Sequence, residues 1–305
     1  MKWGALAAAL LCAFAQETVF KVDVKLVRVL ATVKDGAGQL VGSLEKADFT
    51  ILDNGVRQEL AVFERHTEQP LSVAVLIDTS LSTGIELAYE TESVAKFLKA
   101  LVGEGNPRDT AALYSFSHDV TLRTGFTRRL ERLEGSLKGL KPLGGTSLYD
   151  AIYLAGRNLD EREGRHVIVV VTDGGDTTSA KNYHDALKAA QLADAVLYAI
   201  LVMPITNDPG RNVGGENALA GLAAGTGGRV FFPSVGAMLD IAFADILREL
   251  RTQYLLGYYP KNVPPSKDAF HRVEVRLSRP HLRALARNGY YEESGAEAPG
   301  WKRVR

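Results

Sequence analysis

Cysteine is nearly absent from this chain of 305 residues: the single one, Cys12, lies within the first fifteen. If those residues are removed on export, no disulfide and no thiolate chemistry remains, and the core must carry the stability. An excess of charge is also missing, because 36 basic residues balance 36 acidic ones. No global field draws the chain to nucleic acid or anionic lipid, so neither is expected as a partner. Beyond the first residues no apolar run reaches the ~20 residues that a membrane span requires. The six histidines show no His-x-x-x-His spacing. No Ser-His-Asp set, Cys-His set or Gly-x-Ser-x-Gly elbow is present either, which removes the common nucleophilic hydrolases. One Gly-rich stretch, GLAAGTGGR, follows a helical pattern and precedes a strand. That order is the reverse of a phosphate loop, so Gly225 to Gly228 read as a helix stop and turn.

What is present begins with MKWGALAAALLCAFAQ. Lys2, the apolar run from Ala5 to Phe14 and the small residues Ala13 and Ala15 form a secretory signal peptide over residues 1–15, with cleavage expected after Ala15. Leu11 stands where lipoprotein processing wants a small residue, so lipidation at Cys12 is not expected. The mature protein is expected in the periplasm or outside the cell, with no membrane span left after cleavage. Its composition, 46% hydrophobic and 24% charged, is that of a globular chain with a sizeable core.

Hydrophobic periodicity divides the chain. From residue 17 to 69 apolar and polar residues alternate, and Asp35-Gly36 and Asn54-Gly55 are hairpin signals, so strands of a small β-sandwich-like module are expected. Residues 70–252 alternate apolar runs with helical stretches. Strands are expected near Val73–Ile77, Thr110–Phe116, Val120–Thr124, 166–172, 195–202 and 229–232, and helices near 84–102, 127–140, 147–159, 180–193, 216–224 and 235–252. This pattern predicts an α/β, doubly wound, mostly parallel sheet with one antiparallel edge strand. Alternation returns over residues 253–292. Two β fragments of this size would be marginal alone, so the C-terminal strands are expected to complete the N-terminal module, with the α/β domain inserted between. Residues 293–305 read as a tail. Most rings of the cluster Tyr254, Tyr258, Tyr259, Tyr290 and Tyr291 are expected to pack this module.

Function in such sheets gathers where strand ends meet loops at a topological switch point. The strand VAVLID ends at Asp78 and runs into TSLSTG, giving Asp78, Ser80 and Ser82 in an Asp-x-Ser-x-Ser set. Side chains at i, i+2 and i+4 of an extended stretch share a face, so three oxygens converge. In PLGGTSLYDA, Thr146 sits at a helix start behind two glycines. In VVVTDGGDTTS, Asp173 follows a buried strand. Carboxylates and hydroxyls are hard ligands that suit Mg²⁺, or Mn²⁺. With two formal negative charges the ion stays electron-poor, and its open position favours an incoming carboxylate. Asp150 and Asp176 lie near the same loops and are expected to be supporting or solvated residues.

The three segments resemble the metal-ion-dependent adhesion site of von Willebrand factor type A domains. The resemblance implies that Ser80, Ser82 and Thr146 hold the ion directly or through water, and that Asp78 and Asp173 hold it through water or by direct contact. The flanking segments DFTILDNGVRQELAVF, YLLGYYP and LARNGYY resemble the secreted VWFA-related family described from acidobacteria, an Ig-like β module beside the type A domain. One departure stands out: Leu81 occupies a position that is Gly in many of these proteins, which predicts a bulkier loop and a retained site.

The resulting expectation is a non-enzymatic, exported adhesion-type module whose Mg²⁺ takes a carboxylate from an Asp or Glu of a partner protein. Loops 177–183 and 205–215 would set specificity. Two alternatives compete: an envelope scaffold with a structural metal, and a metal-dependent hydrolase. The second lacks the carboxylate two residues after Asp78 that such phosphatases use, since Ser80 stands there.

Overall fold

The computed structural model describes residues 26–65, 68–84, 86–202, 212–234, 236–266 and 268–292. The expected leader, the alternating stretch before Leu26, most of the 205–215 loop and the tail lie outside the described residues.

Four strands open the described chain: β1 (Val27–Lys34), β2 (Phe49–Asp53), β3 (Val56–Gln58) and β4 (Leu60–Glu64). Asn54 and Gly55 join β2 to β3 with φ of 46° and 83°, the left-handed pair that a two-residue hairpin needs. The Asp35-Gly36 hairpin is only partly formed. The Asp35 carboxylate accepts the N–H groups of Ala37 and Gln39, both at 2.9 Å, which widens the turn. Only an isolated bridge, Lys34 to Leu40, follows it.

Next come β5 (Leu71–Asp78), α1 (Leu87–Glu104), β6 (Thr110–Phe116), β7 (Val120–Thr127), α2 (Leu130–Leu137) and α3 (Leu148–Asp160). They are followed by β8 (Arg165–Thr172), α4 (Tyr183–Leu192), β9 (Ala195–Leu201), α5 (Val213–Thr226), β10 (Val230–Phe231) and α6 (Ala237–Thr252). α2 is shorter than its periodicity suggests, because β7 continues to Thr127 to pair with Ala111. Gly227, at φ +86°, stops α5, as read from the Gly-rich stretch.

These strands form one six-stranded sheet in the order β10-β9-β8-β5-β6-β7, parallel throughout except for β7. Period-two alternation splits its core. Val73, Val75 and Ile77 pack with α1, α2 and α6 on one face, while Ala74, Leu76, Ile168 and Val170 pack with α3, α4 and α5 on the other. Val167 to Val171 are wholly buried, and each such side chain contributes about 1.5–3 kcal/mol. From β5 the chain winds to β6 on one side and later to β8, β9 and β10 on the other. The crevice between the ends of β5 and β8 is therefore the switch point.

The remaining strands, β11 (Tyr254–Tyr258), β12 (Phe270–Leu277), β13 (Arg283–Ala286) and β14 (Gly289–Tyr291), return to the beginning. They interleave with the first four in two antiparallel sheets, β13-β1-β11-β4 and β14-β12-β2-β3. The β-sandwich-like module is thus built from both ends of the described chain. Its core holds Val29, Ile51, Leu256 and the buried rings of Tyr254 and Tyr258; Tyr259 is exposed. Asp53, fully buried, accepts hydrogen bonds from the hydroxyls of Tyr258 and Tyr290, each at 2.9 Å, and lies 3.2 Å from His271 Nδ1. The two aromatic C-terminal motifs are thereby tied to the N-terminal strand β2.

Candidate metal centre

Strand register brings the first two segments of the site together. Ile77 pairs with Val171, which sets Asp78 beside Thr172, and the Thr172 hydroxyl donates to Asp78 Oδ2 at 2.6 Å. The other carboxylate oxygen accepts the Ser80 N–H at 2.7 Å, so the chain turns sharply just past the strand. Thr83 locks this turn by donating to the carbonyls of Asp78 and Ser80 at 3.2 and 3.0 Å. Ser80 Oγ and Ser82 Oγ then lie 2.9 Å apart.

Leu81 is 68% exposed, starts a single 3₁₀ turn, and is not among the residues of positive φ. A leucine therefore fits this position without backbone strain, and its side chain points away from the oxygens. The hydroxyls of Ser80 and Ser82 on either side of it face one another.

The third segment is tied in by backbone pairing. Leu143 N–H donates to the Thr79 carbonyl at 2.8 Å, and Ser80 bridges to Leu143 in parallel fashion. Thr146 is buried, and its N–H donates to Thr177 Oγ1 at 2.9 Å while its carbonyl accepts the Thr177 N–H at 2.8 Å. The loop after β8 thus clamps the Thr146 segment, and the same loop carries Asp173. Asp150 and Asp176 complete the clamp. Asp150 accepts the N–H groups of Ala180 and Lys181 at 2.9 and 2.8 Å, and Asp176 accepts the Tyr149 N–H at 3.2 Å and the hydroxyl of Ser179. Both carboxylates are consumed in holding loops. Asp78, Ser80, Ser82, Thr146 and Asp173 accordingly stand on three loops at one end of the sheet, around the switch point.

The electrostatics of this end are one-sided. Burial pushes the Asp78 carboxyl up to about 6, against the pull of the Thr172 and Ser80 hydrogen bonds, and the charge of Asp173 adds to the push. Glu90, on α1, is fully buried, and neither of its carboxylate oxygens has a hydrogen-bond partner. Burial, then the charges of Asp78, Asp173 and Glu86, push its carboxyl well above the usual range. Among the described residues no Lys, Arg or His forms an ion pair with any of these four. Asp78, Ser80 and Thr146 are buried, while Ser82 is exposed and Asp173 half-buried. Carboxylates and hydroxyls without a cationic partner are the donor types that suit a hard divalent cation, although among the described residues no group of three or more His, Cys, Asp or Glu side chains is placed to hold one. Glu90 was not singled out from the sequence. Its signal was there: in α1 it shares the 3- and 4-residue spacing of Leu87, Val94, Phe97 and Leu101, a polar residue in an apolar stripe.

Residues 73–175 match the family model of the von Willebrand factor type A domain. The α/β domain has the fold of that class. Among solved structures, the proximal thread matrix protein 1 of the mussel byssus is 18% identical over 64% of this chain and 49% of its own, with a TM-score of 0.50. The vWF domain of the type V pili tip protein Mfa5 from Porphyromonas gingivalis is 16% identical over 59% of this chain and 94% of that one, with a TM-score of 0.48. A D319A mutant of the PilB minor pilin from Streptococcus sanguinis is 14% identical over 60% of this chain, also with a TM-score of 0.48. The chain spans 62% of that pilin and about half of the mussel protein. No curated protein matches the chain. Among the described residues no helix is long and apolar enough to cross a membrane.

Proposed function

We propose that this protein is an exported, metal-dependent protein-binding module whose Mg²⁺, or Mn²⁺, takes a carboxylate from an Asp or Glu of a partner. The observation that carries this reading is the collection of Asp78, Ser80, Ser82, Thr146 and Asp173 at the switch point, anionic and without a cationic partner. Hydroxyls outnumber carboxylates in that set, so an ion held there keeps affinity for a further anionic oxygen. The site's surroundings suit a protein partner. Leu81 and Leu143 are 68% and 59% exposed, and the bridge between Ser80 and Leu143 sets their two loops side by side. A carboxylate flanked by apolar side chains would meet both features. Ser80, a hydroxyl two residues past Asp78, leaves no second carboxylate for phosphoryl transfer, which supports binding over hydrolysis. The sequence resemblance of its flanking β segments is the ground on which we group it with the secreted VWFA-related proteins described from acidobacteria.

The test is capture of proteins from a bacterial envelope extract by the purified chain. Capture should require Mg²⁺, be released by EDTA, and be lost in Asp78→Ala and Thr146→Ala. Capture indifferent both to EDTA and to Asp78→Ala would sink the proposal.

A further inference from the structure

We propose that the protein binds a small monovalent anion, of the size of chloride, in a cavity lined by Arg28, Arg165 and Arg287 between the β module and the α/β domain. This site is independent of the metal reading. It stands at the opposite end of the sheet, where β8 and β9 begin.

The cavity measures about 30 Å³. One water needs roughly 10–15 Å³, so there is room for a small ion or a pair of waters and for nothing larger. Both parts of the molecule close around it. β1 supplies Arg28, β11 supplies Leu255 and Arg287 follows β13, while Arg165 opens β8 and Asp194 precedes β9. Three guanidinium groups and a single carboxylate therefore share the wall.

Their partners do not use up that excess. Arg28 Nη2 lies 3.4 Å from one oxygen of Asp194, and Arg287 Nη1 pairs with the other oxygen of the same carboxylate. Arg165 is buried and donates to the carbonyls of Leu250 and Gln69 at 2.5 and 3.4 Å. Among the described residues no carboxylate forms an ion pair with it. Burial lowers its guanidinium to about 10, against the pull of Asp109, so it stays charged at neutral pH. The ends of α4 and α5 reach the wall through Gln191 and Thr226, and that of α6 through the Leu250 carbonyl. Each helix end supplies about half a negative charge at most, which still leaves the wall cationic.

One atom decides between an anion and a neutral filling. Arg287 is 8% exposed, and its Nε has no hydrogen-bond partner. An unmet charged donor in a buried place costs free energy. A water would supply the acceptor alone, whereas an anion supplies the acceptor and the missing negative charge together. Because both parts of the molecule line the cavity, the bound ion ties the β module to the α/β domain.

The experiment is thermal melting of the metal-free full chain in sodium chloride and in sodium gluconate at equal ionic strength, gluconate being too large to enter. Wild type should melt about 3 °C higher in chloride. The difference should vanish in Arg287→Met and shrink in Arg28→Met, whose side chain is 39% exposed and tolerates replacement even where Arg287→Met fails to fold. Each protein is compared with itself, so a general loss of stability does not imitate the result. Crystals grown in bromide give a second reading, an anomalous peak in the cavity. Equal melting of wild type in the two salts overturns the proposal, as does an undiminished difference in the variants, which would be a general salt effect. Bromide found only on the outer surface overturns it too and leaves the cavity to water.

Discussion

Two buried acids in this molecule face opposite circumstances. Asp53, in the β module, is surrounded by donors that belong to the chain: Tyr258, Tyr290 and His271. Asp78, at the switch point, has two donors but lies under the charge of Asp173. Glu90, which feels both of those charges, has none. A polar group whose partners are all internal serves the fold, since its removal orphans them. A polar group whose partners are missing raises the energy of the fold. The first region should therefore lose stability when its acid is removed, and the second should not.

The sharpest way to break this contrast is Asp53→Ala. Removing that acid strands two tyrosine hydroxyls in a buried core and should cost about 3–5 kcal/mol, read as a lowered urea midpoint. A change under 1 kcal/mol would show that the β-module network is not what holds the two chain segments together.

A smaller effect is expected at Asp78 in the absence of metal. Its folded carboxyl stands at about 6 against an unfolded value near 3.9, so the folded chain holds the proton more tightly. The stability from this group is fully present below about pH 4 and is lost as pH rises through 6, roughly 3 kcal/mol in all. Melting of the metal-free wild type followed from pH 4 to 7 should fall relative to Asp78→Asn, which lacks this proton. Parallel curves for the two proteins would contradict the assignment.

The smallest effect on folding is expected from Leu81→Gly. Its side chain is mostly exposed, so stability should move by no more than about 0.5 kcal/mol. Partner capture should nevertheless weaken several-fold. Capture that is equal to wild type would remove Leu81 from the binding surface and confine recognition to the ion.

Much of this was legible in the residues. The alternation of β1 and β2, the Asn54-Gly55 turn and the apolar runs of β5, β8 and β9 carry their periods openly, because burial on one face or on two leaves distinct patterns. The three oxygen-bearing segments were readable because each follows or precedes such a run. Element ends were less so: α1 begins three residues later than its period suggests because Ser80 to Thr83 are engaged with the Asp78 turn, and α2 yields its first residues to the pairing of Thr127. Glu90 escaped for a different reason. Its spacing marks it as a core position, but whether a buried acid has partners depends on contacts between α1 and strand ends far along the chain. The pairing of Asp53 with Tyr258 and Tyr290, more than 200 residues away, was hidden in the same way.

The weaving of the β module has a mechanical consequence. β4 leads into the α/β domain and β11 leads out of it, and these two strands are antiparallel neighbours, Glu64 opposite Leu255. The domain that carries the switch point is entered and left through two adjacent strands, and ion pairs of Lys34 with Glu249 and of Arg28 and Arg287 with Asp194 also join it to the sandwich. Tension between residues 26 and 292 would load first the ladder of β1 with β13 and the two arginines that meet on Asp194. Asp194 precedes β9 and the entering strand meets the start of β5, whereas Asp78 stands at the end of β5, so a pull on the flanks reaches the oxygens of the site last.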